Sequence, residues 1–523
     1  MTGTATFLRT FLRRDRWMIF WFLVGTTVLY WSQAVSVDGL YTTQAEFDKA
    51  AATMRDNTAF IAMAGPPRAL NTTGGQVTWQ AAAFGAIVVG LMVMFLIGRH
   101  TRAEEESGRE ELLRAAVVAR TAPMTAALLT AMIASAIVGA GVTGSLIAYG
   151  LPAAGSISLG VGLFLFGCAL AAVALLAAQL TSSTRATYGL TGAVIGVAYG
   201  LRAIGDVSGG GLSWVSPIGW YQSMHAFSGE RWWPAVFLVV MAGLSGVAAY
   251  AVFDRRDYGA GVLATRPGPD RAPASLRTSL GLAWRLQRPS IVGWTLGVFL
   301  GGIGYGSIGD DVNSVMGDSQ YSHDIFGAAG PNLVDSFYAV AVLMLVLIAS
   351  GFTVSSALRP RAEEDAGRVE SLLATALPRR RWFLDHLAVT LTGTLLVMLA
   401  AGLGIGVGYA LVTGDGGAVG RLTGATFAQL PGVLVLGGLA RLLTGFVPRW
   451  AIAAWLAVAF CVVVLLFGEV LRFPQWVVNV SPFSHLASVP ADTMAWGPFV
   501  AVAALAVAIS TAGVIGFGRR DIR

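Results

Sequence analysis

Two short stretches hold most of the charged side chains that are grouped closely enough to act together. From Arg102 to Ala115 the chain reads RAEEESGREELLRA, and from Arg361 to Ala374 it reads RAEEDAGRVESLLA, the same order 259 residues later without a gap. The first presents Glu104, Glu105, Glu106, Gly108, Arg109 and Glu111, followed by Leu112 and Leu113. The second presents Glu363, Glu364, Asp365, Gly367, Arg368 and Glu370, followed by Leu372 and Leu373. A short helix of this make-up has one acidic face and one leucine face, and its chemistry is docking. The plainer reading is a solvated turn with helix-capping acids, but a turn does not need the same order of acid, glycine, arginine, acid and leucine twice. Other chemistry finds no support. Lysine occurs once, at Lys49, which excludes a nucleotide-binding P-loop, whose lysine must touch the phosphates. His225, His323 and His485 are scattered without metal-ligand spacing. There is no nucleophile triad, no metal site and no nucleic-acid module.

The elements that must position these stretches are membrane spans. Hydrophobic residues make up 55% of the 523 and charged residues only 12%, about half the charged share of a soluble domain. A helix crossing a bilayer core needs roughly 20 apolar residues. Twelve runs qualify: Trp17–Val35, Trp79–Gly98, Pro123–Tyr149, Ile157–Leu180, Tyr188–Ile204 and Trp233–Phe253, then Ile291–Ile308, Phe337–Leu358, Phe383–Val412, Phe427–Phe446, Trp450–Phe467 and Trp496–Phe517. No cleavable signal is expected, because the first run is long enough to stay as an anchor. With twelve spans, the termini and even-numbered connections share one side and carry 28 of the 35 Lys+Arg. The bias of basic residues toward the inner face then puts both termini, and both acidic stretches, in the cytoplasm. Cys168 and Cys461 lie inside apolar runs and read as buried free thiols.

Further echoes show that the chain is written twice. Ala64-Gly65-Pro66 returns as Ala329-Gly330-Pro331, Ser216-Pro217 as Ser481-Pro482, and Arg255-Arg256-Asp257 as Arg519-Arg520-Asp521. The expectation is an all-α integral membrane protein of two parallel six-helix repeats: 1–253, a cytoplasmic linker 254–289 rich in Pro, Ala and Arg, and 290–523. Amphipathic stretches with Phe7, Phe11 and Leu12, and with Leu276, Leu280 and Trp284, precede the first span of each half and suit helices lying in the membrane interface; the alternative is an ordinary positive flank. Gly402, Gly404, Gly406 and Gly408 lie inside a hydrophobic span with no strand before them, which favours close helix packing over a dinucleotide fingerprint.

Moving a solute uphill needs an energy source, and no polar stretch here reaches the size of a domain. The span interiors read as nearly free of charge. Arg202, Glu469 and Arg472 lie near outer ends, and Asp335, Asp385 and His386 near the starts of their runs. Two equivalent docking helices on an unpowered pore point to a dimeric motor on a separate polypeptide. At this level the chain resembles the membrane subunits of actinobacterial ABC exporters, of the kind that export polyketide antibiotics or confer tetronasin resistance. The resemblance covers the whole chain. It rests on EEESGREELL and EEDAGRVESLL, on Leu201-Arg202-Ala203-Ile204-Gly205-Asp206, and on WVSPIGWYQSMHAFSGERWWP from Trp214 to Pro234. It implies an ABC-2 or type V exporter-like fold in a bacterial cytoplasmic membrane. It also implies coupling-helix roles for Glu104–Glu111 and Glu363–Glu370, two copies of a separate ABC ATPase subunit, and ATP and magnesium held by that partner, with no cofactor on this chain. The second half departs from the pattern at Ser484-His485-Leu486, where the first has Gly219-Trp220-Tyr221.

The outer segments between the fifth and sixth spans carry Pro, Gly and aromatics, which suits short re-entrant helices; for Trp232 and Trp233 an interfacial belt is the better reading. The outer loop from Val37 to Thr78 is expected to hold an amphipathic helix around Phe47, Ala51 and Met54. Candidates for a path lined by the first, second and fifth spans are Trp21, Tyr30, Phe84, Trp294 and Phe337. A path without mid-membrane charge favours hydrophobic or amphipathic small molecules. Lipid is the other partner; nucleic acid is not one. The competing function is an ion-coupled secondary efflux transporter, and a third is a non-transporting scaffold, for which two six-span halves are excessive.

Overall fold

The computed structural model describes residues 2–41, 43–55, 58–108, 118–257, 261–262, 270–308, 333–467 and 473–521. Every regular element among them is a helix. In hydrocarbon each backbone N–H and C=O must be satisfied within its own segment, and a helix does this. Among the described residues, eleven helices are long and apolar enough to cross a membrane, from Thr4–Leu40 to Trp496–Arg519. The expected seventh span lies in a further helix, Ser279–Gly306, whose early turns carry Arg285, Arg288 and an internal Pro289 that dilute its apolar run. The protein is an all-helical, multi-pass membrane protein.

The chain divides into two compact units, Met1–Gly268 and Pro269–Arg523, each with its own apolar core. The first helices of the two units bury matching positions at a constant spacing of 272. Phe11, Asp15, Ile19, Thr26, Tyr30 and Ala34 in one stand where Ala283, Gln287, Ile291, Val298, Gly302 and Gly306 stand in the other. The amphipathic stretch ahead of the first span is not a separate interfacial helix, while in the second half Leu276 lies in a short helix, Ala274–Arg277, and Leu280 and Trp284 lie in the span helix Ser279–Gly306. One helix runs unbroken from Thr4 to Leu40, because neither Gly nor Pro interrupts the sequence between Thr4 and Val24. Its 37 residues reach about 55 Å at 1.5 Å per residue, well beyond a hydrocarbon core of about 30 Å.

Small residues set the closest contacts. On the helix Arg379–Thr413 the four alternate glycines face two neighbours. A Cβ at Gly404 or Gly408 would come within 2.4 Å of the Phe299 carbonyl oxygen or 2.5 Å of that of Ile303. One at Gly402 or Gly406 would lie 2.6 Å from Thr423 Cα or 2.5 Å from Val419 Cα. The run is therefore a two-sided helix interface. The outer segments contain short helices, Leu212–Val215 and Pro217–Gln222 in the first unit, Gln475–Val478 and Pro482–His485 in the second. The outer loop holds helices Gln44–Arg55 and Thr58–Ala64, the former burying Phe47, Ala51 and Met54. Both cysteines are buried and free.

Candidate functional site

The first acidic stretch begins where the second-span helix Thr73–His100 ends. Thr101 leaves the helical region (φ −121°, ψ −93°), and the short helix Arg102–Glu106 turns off from it. Each described acid of this stretch is engaged inside its own half. Glu104 accepts from Arg14 at 2.6 Å. Glu105 is gripped on both oxygens, by Arg102 at 2.7 Å on Oε2 and by Arg256 on Oε1. Arg256 follows the sixth-span helix Ala235–Arg255, and its Nε also donates to Gln179 Oε1 at 2.8 Å. Glu106 accepts from the Thr184 N–H at 2.8 Å and its hydroxyl at 2.7 Å, at the start of the fifth-span helix Thr184–Val207. Gly108 takes a left-handed φ of +70°, a conformation glycine adopts at no steric cost. Arg109, Glu111, Leu112 and Leu113 lie outside the described residues.

The second stretch is described in full. After the helix Leu333–Ala357 come two short helices, Arg359–Asp365 and Arg368–Leu373, with Gly367 at φ +67° between them. Glu363 pairs with Arg359 at 2.7 Å and Arg368 at 2.5 Å. Glu364 pairs with Arg361 at 3.3 Å and Arg520 at 2.6 Å, while Asp365 pairs with Arg361 at 2.6 Å. On the apolar side, Val369 is buried with Trp382, Phe383 and Phe517, and Leu372 and Leu373 pack onto them. Asp365, Gly367, Arg368, Glu370 and Ser371 face outward.

Two echoes that are far apart in sequence thus meet in space. Arg102, Glu105 and Arg256, with Arg256 over the Phe253 ring at 5.4 Å, form one cluster. Arg361, Glu364 and Arg520, with Arg520 over Phe517 at 5.0 Å, form its copy. The repeated Arg-Arg-Asp motif supplies the arginine that fastens the acidic elbow to the end of the sixth span. Taking the acid from such a set strands its arginines and costs about 3–5 kcal/mol where the set is buried, so each elbow is firmly seated. Around the first cluster, Arg120 also lies over Phe253 at 5.1 Å, and Asp15 on the entry helix holds Arg99 at 2.6 Å and His100.

At the opposite ends of the first unit's spans, Arg202 is wholly buried and donates to the carbonyls of Met63 (2.9 Å) and Ile61 (3.4 Å) on the outer-loop helix Thr58–Ala64. A cavity of about 190 Å³ lies nearby, lined by Arg68, Asp206, His225, Arg231, Trp214 and Trp233. His225 adopts φ +55°. Burial, reinforced by the charges of Arg68 and Arg231, lowers its imidazole to about 4, which keeps it neutral at physiological pH. Trp232 and Trp233 are half exposed, and Trp233 stacks on Trp214 at 5.1 Å.

The comparisons with known proteins fit this organisation. A family model described as the C-terminal domain of the multidrug efflux system permease Rv1217c matches residues 276–518. Over its full length the chain is 37% identical to the multidrug efflux system permease protein Rv1217c of Mycobacterium tuberculosis, and the match covers 96% of that protein. The chain belongs to this permease family.

In this permease the proposed path residues sit in different surroundings. Trp21 (65% exposed) and Phe84 (40%) face outward, and Trp294 and Phe337 are half-buried against the second core. Tyr30 is fully buried, its hydroxyl 3.4 Å from that of Tyr221 and its ring packed on Gly85; it is a core residue of the first unit. The reading of nearly charge-free span interiors needs correction. Arg441 lies inside the fourth-span helix of the second unit, Leu430–Phe446, at 2% exposure. Its apolar neighbours outweigh it in any average over a span, and a search for single arginines within spans finds it.

Proposed function

We propose that the protein is the membrane subunit of an ATP-binding-cassette exporter that moves hydrophobic or amphipathic drug-like compounds out across the cell membrane. A separate ATPase dimer, which holds ATP and magnesium, drives it through the two acidic elbows. What supports this is the duplicated elbow itself. Its inner acids are locked by ion pairs to the sixth span, and in the second unit its outer residues, Asp365, Arg368, Glu370 and Ser371, remain exposed. A rigid seat with a free outer face transmits force; a loose loop does not. The efflux role rests on the kinship with Rv1217c. Nucleotide binding closes the ATPase dimer and pulls on the elbows, and the helices rooted in them shift between inward- and outward-open arrangements.

The test is ATP hydrolysis and transport measured together in vesicles holding the permease and its ATPase. The double substitution Glu111→Arg and Glu370→Arg is expected to abolish substrate-stimulated hydrolysis and transport while the permease still inserts and melts as before. Coupling that survives the substitutions would overturn the docking role. Transport that follows a proton gradient and ignores ATP would instead establish an ion-coupled transporter.

A further inference from the structure

Arg441 is the least accounted-for charge in the molecule. A helical side chain leans toward the N-terminus of its helix, and the Arg441 guanidinium reaches back to Gly437, where an added Cβ would lie 3.9 Å from Nη2. Its Nη1 donates to Ser510 Oγ at 3.0 Å on the sixth-span helix Trp496–Arg519. Nη2 is buried and has no hydrogen-bond partner, and among the described residues Arg441 forms no ion pair. Every other guanidinium buried to this degree in the described residues is answered by a carboxylate: Arg102 and Arg256 by Glu105, Arg202 by Asp206. An arginine inside a membrane span is among the costliest residues to bury and marks a functional site by default.

Polar side chains lie close by. Gly437 lets the neighbouring helix approach Nη2 closely: a Cβ there would lie 2.7 Å from the Thr353 methyl and 3.9 Å from Nη2. Thr353 belongs to a hydroxyl-bearing seam running through the second unit. The Ser356 hydroxyl donates to Gln287 Oε1 (2.5 Å) and lies 2.8 Å from that of Thr390, the Thr390 backbone carbonyl accepts from the Thr394 hydroxyl (2.8 Å), and the Thr394 hydroxyl meets that of Thr353 (2.9 Å). The first unit lacks both features. The fourth-span helix of the first unit, Ala153–Leu180, contains no arginine, and at the 259 spacing of the adjoining acidic stretches Ser356 and Thr353 fall opposite Ile97 and Met94. The polar seam and its terminal cation are thus particular to one half, as a specificity device is and a shared scaffold is not.

We infer that Arg441, with Ser510 and the hydroxyl seam, forms an anion site in the second half, recognising the single carboxylate or similar oxyanion of an otherwise apolar molecule. A guanidinium pairs with such a group through short charge-assisted hydrogen bonds, and the anion supplies the neutralisation that this burial lacks. As a statement about cargo the inference rests on the exporter reading. As a statement about binding it does not, and the test uses no energy source, so a failed motor and a failed anion site give different results.

The experiment measures binding of anthracene-9-carboxylate and its methyl ester to the full-length permease in phosphatidylcholine nanodiscs, with and without 20% phosphatidylglycerol. The wild type is expected to bind the acid at least about tenfold more tightly than the ester. Arg441→Gln removes that difference, and Arg441→Lys keeps part of it. If phosphatidylglycerol erases the acid's advantage in the wild type and leaves Arg441→Gln unchanged, the site is an anion site whose resident is a lipid phosphate. If the wild type and Arg441→Gln bind the acid equally in both lipid mixtures, with both proteins folded by circular dichroism, the inference is overturned.

Discussion

A buried carboxylate between two guanidiniums is the smallest unit that explains how the acidic elbows are held. Glu364 lies between Arg361 and Arg520, and its side chain has no exposed surface. With two cations on one acid, removing either arginine leaves a pair, while removing the acid leaves two like charges facing each other. Glu364→Gln is therefore expected to destabilise more than Arg520→Gln, by about 3 kcal/mol. The double variant should cost less than the sum of the two, with a coupling of about 1–3 kcal/mol. Thermal unfolding of the four proteins in one detergent measures this; strictly additive losses would show that the pair contributes nothing. The sequence displayed every member of this cluster, since the acidic stretch and the Arg-Arg-Asp motif are both repeated. It did not display the pairing. Glu105 and Arg256 are separated by 151 residues, and nothing in local periodicity relates the end of one span to the end of another four spans away. Arg441 escaped for the opposite reason, being a single residue with no echo.

Among the elements, the apolar runs were legible because the hydrocarbon thickness sets their length and the polar connections end them, but the helices holding the first and seventh begin at Thr4 and Ser279, well before Trp17 and Ile291. Their junctions were not. Whether an amphipathic entry stretch lies flat or continues into the span depends on the absence of a break near Arg16, and whether the elbow is one helix or two depends on Gly367. The outer loop of the first unit shows what such contacts do. Its short helix Thr58–Ala64 ends against Arg202, which donates to two carbonyls of the last turn, where the helix dipole favours a cation. Tyr199 adds a bond to the Met63 carbonyl at 2.9 Å, and Gln222 one to the Ala64 carbonyl at 2.6 Å. The loop is clipped by donors from the fifth span and the re-entrant segment. Arg202→Leu should free it. Limited trypsin digestion at Lys49 and Arg55 is then expected to speed up by at least about tenfold, with little change in Arg202→Lys. Equal cleavage of wild type and Arg202→Leu would mean that the loop's own packing through Phe47, Ala51 and Met54 holds it.

At the scale of the whole chain, the duplication predicts that each half carries its own instructions for insertion. The two units have separate cores. The first opens with Arg9, Arg13, Arg14 and Arg16, and closes with Arg255 and Arg256; the second opens with Arg277, Arg285 and Arg288, and closes with Arg519 and Arg520. Basic residues within about 15–20 positions of a span end dominate its orientation, so the charges that hold both ends of a half inside are present in that half alone. Residues 1–262 and 270–523 expressed as separate chains should therefore insert with both ends of each in the cytoplasm. Fusions of a fluorescent protein to each of the four ends are expected to fluoresce, and alkaline phosphatase at the same positions to stay inactive. Phosphatase activity at any of the four would break the even count of spans per half. The parallel arrangement would fall with it, since an odd number of crossings turns the second repeat over and places one of the two acidic elbows on the outer side, beyond the reach of any motor in the cytoplasm.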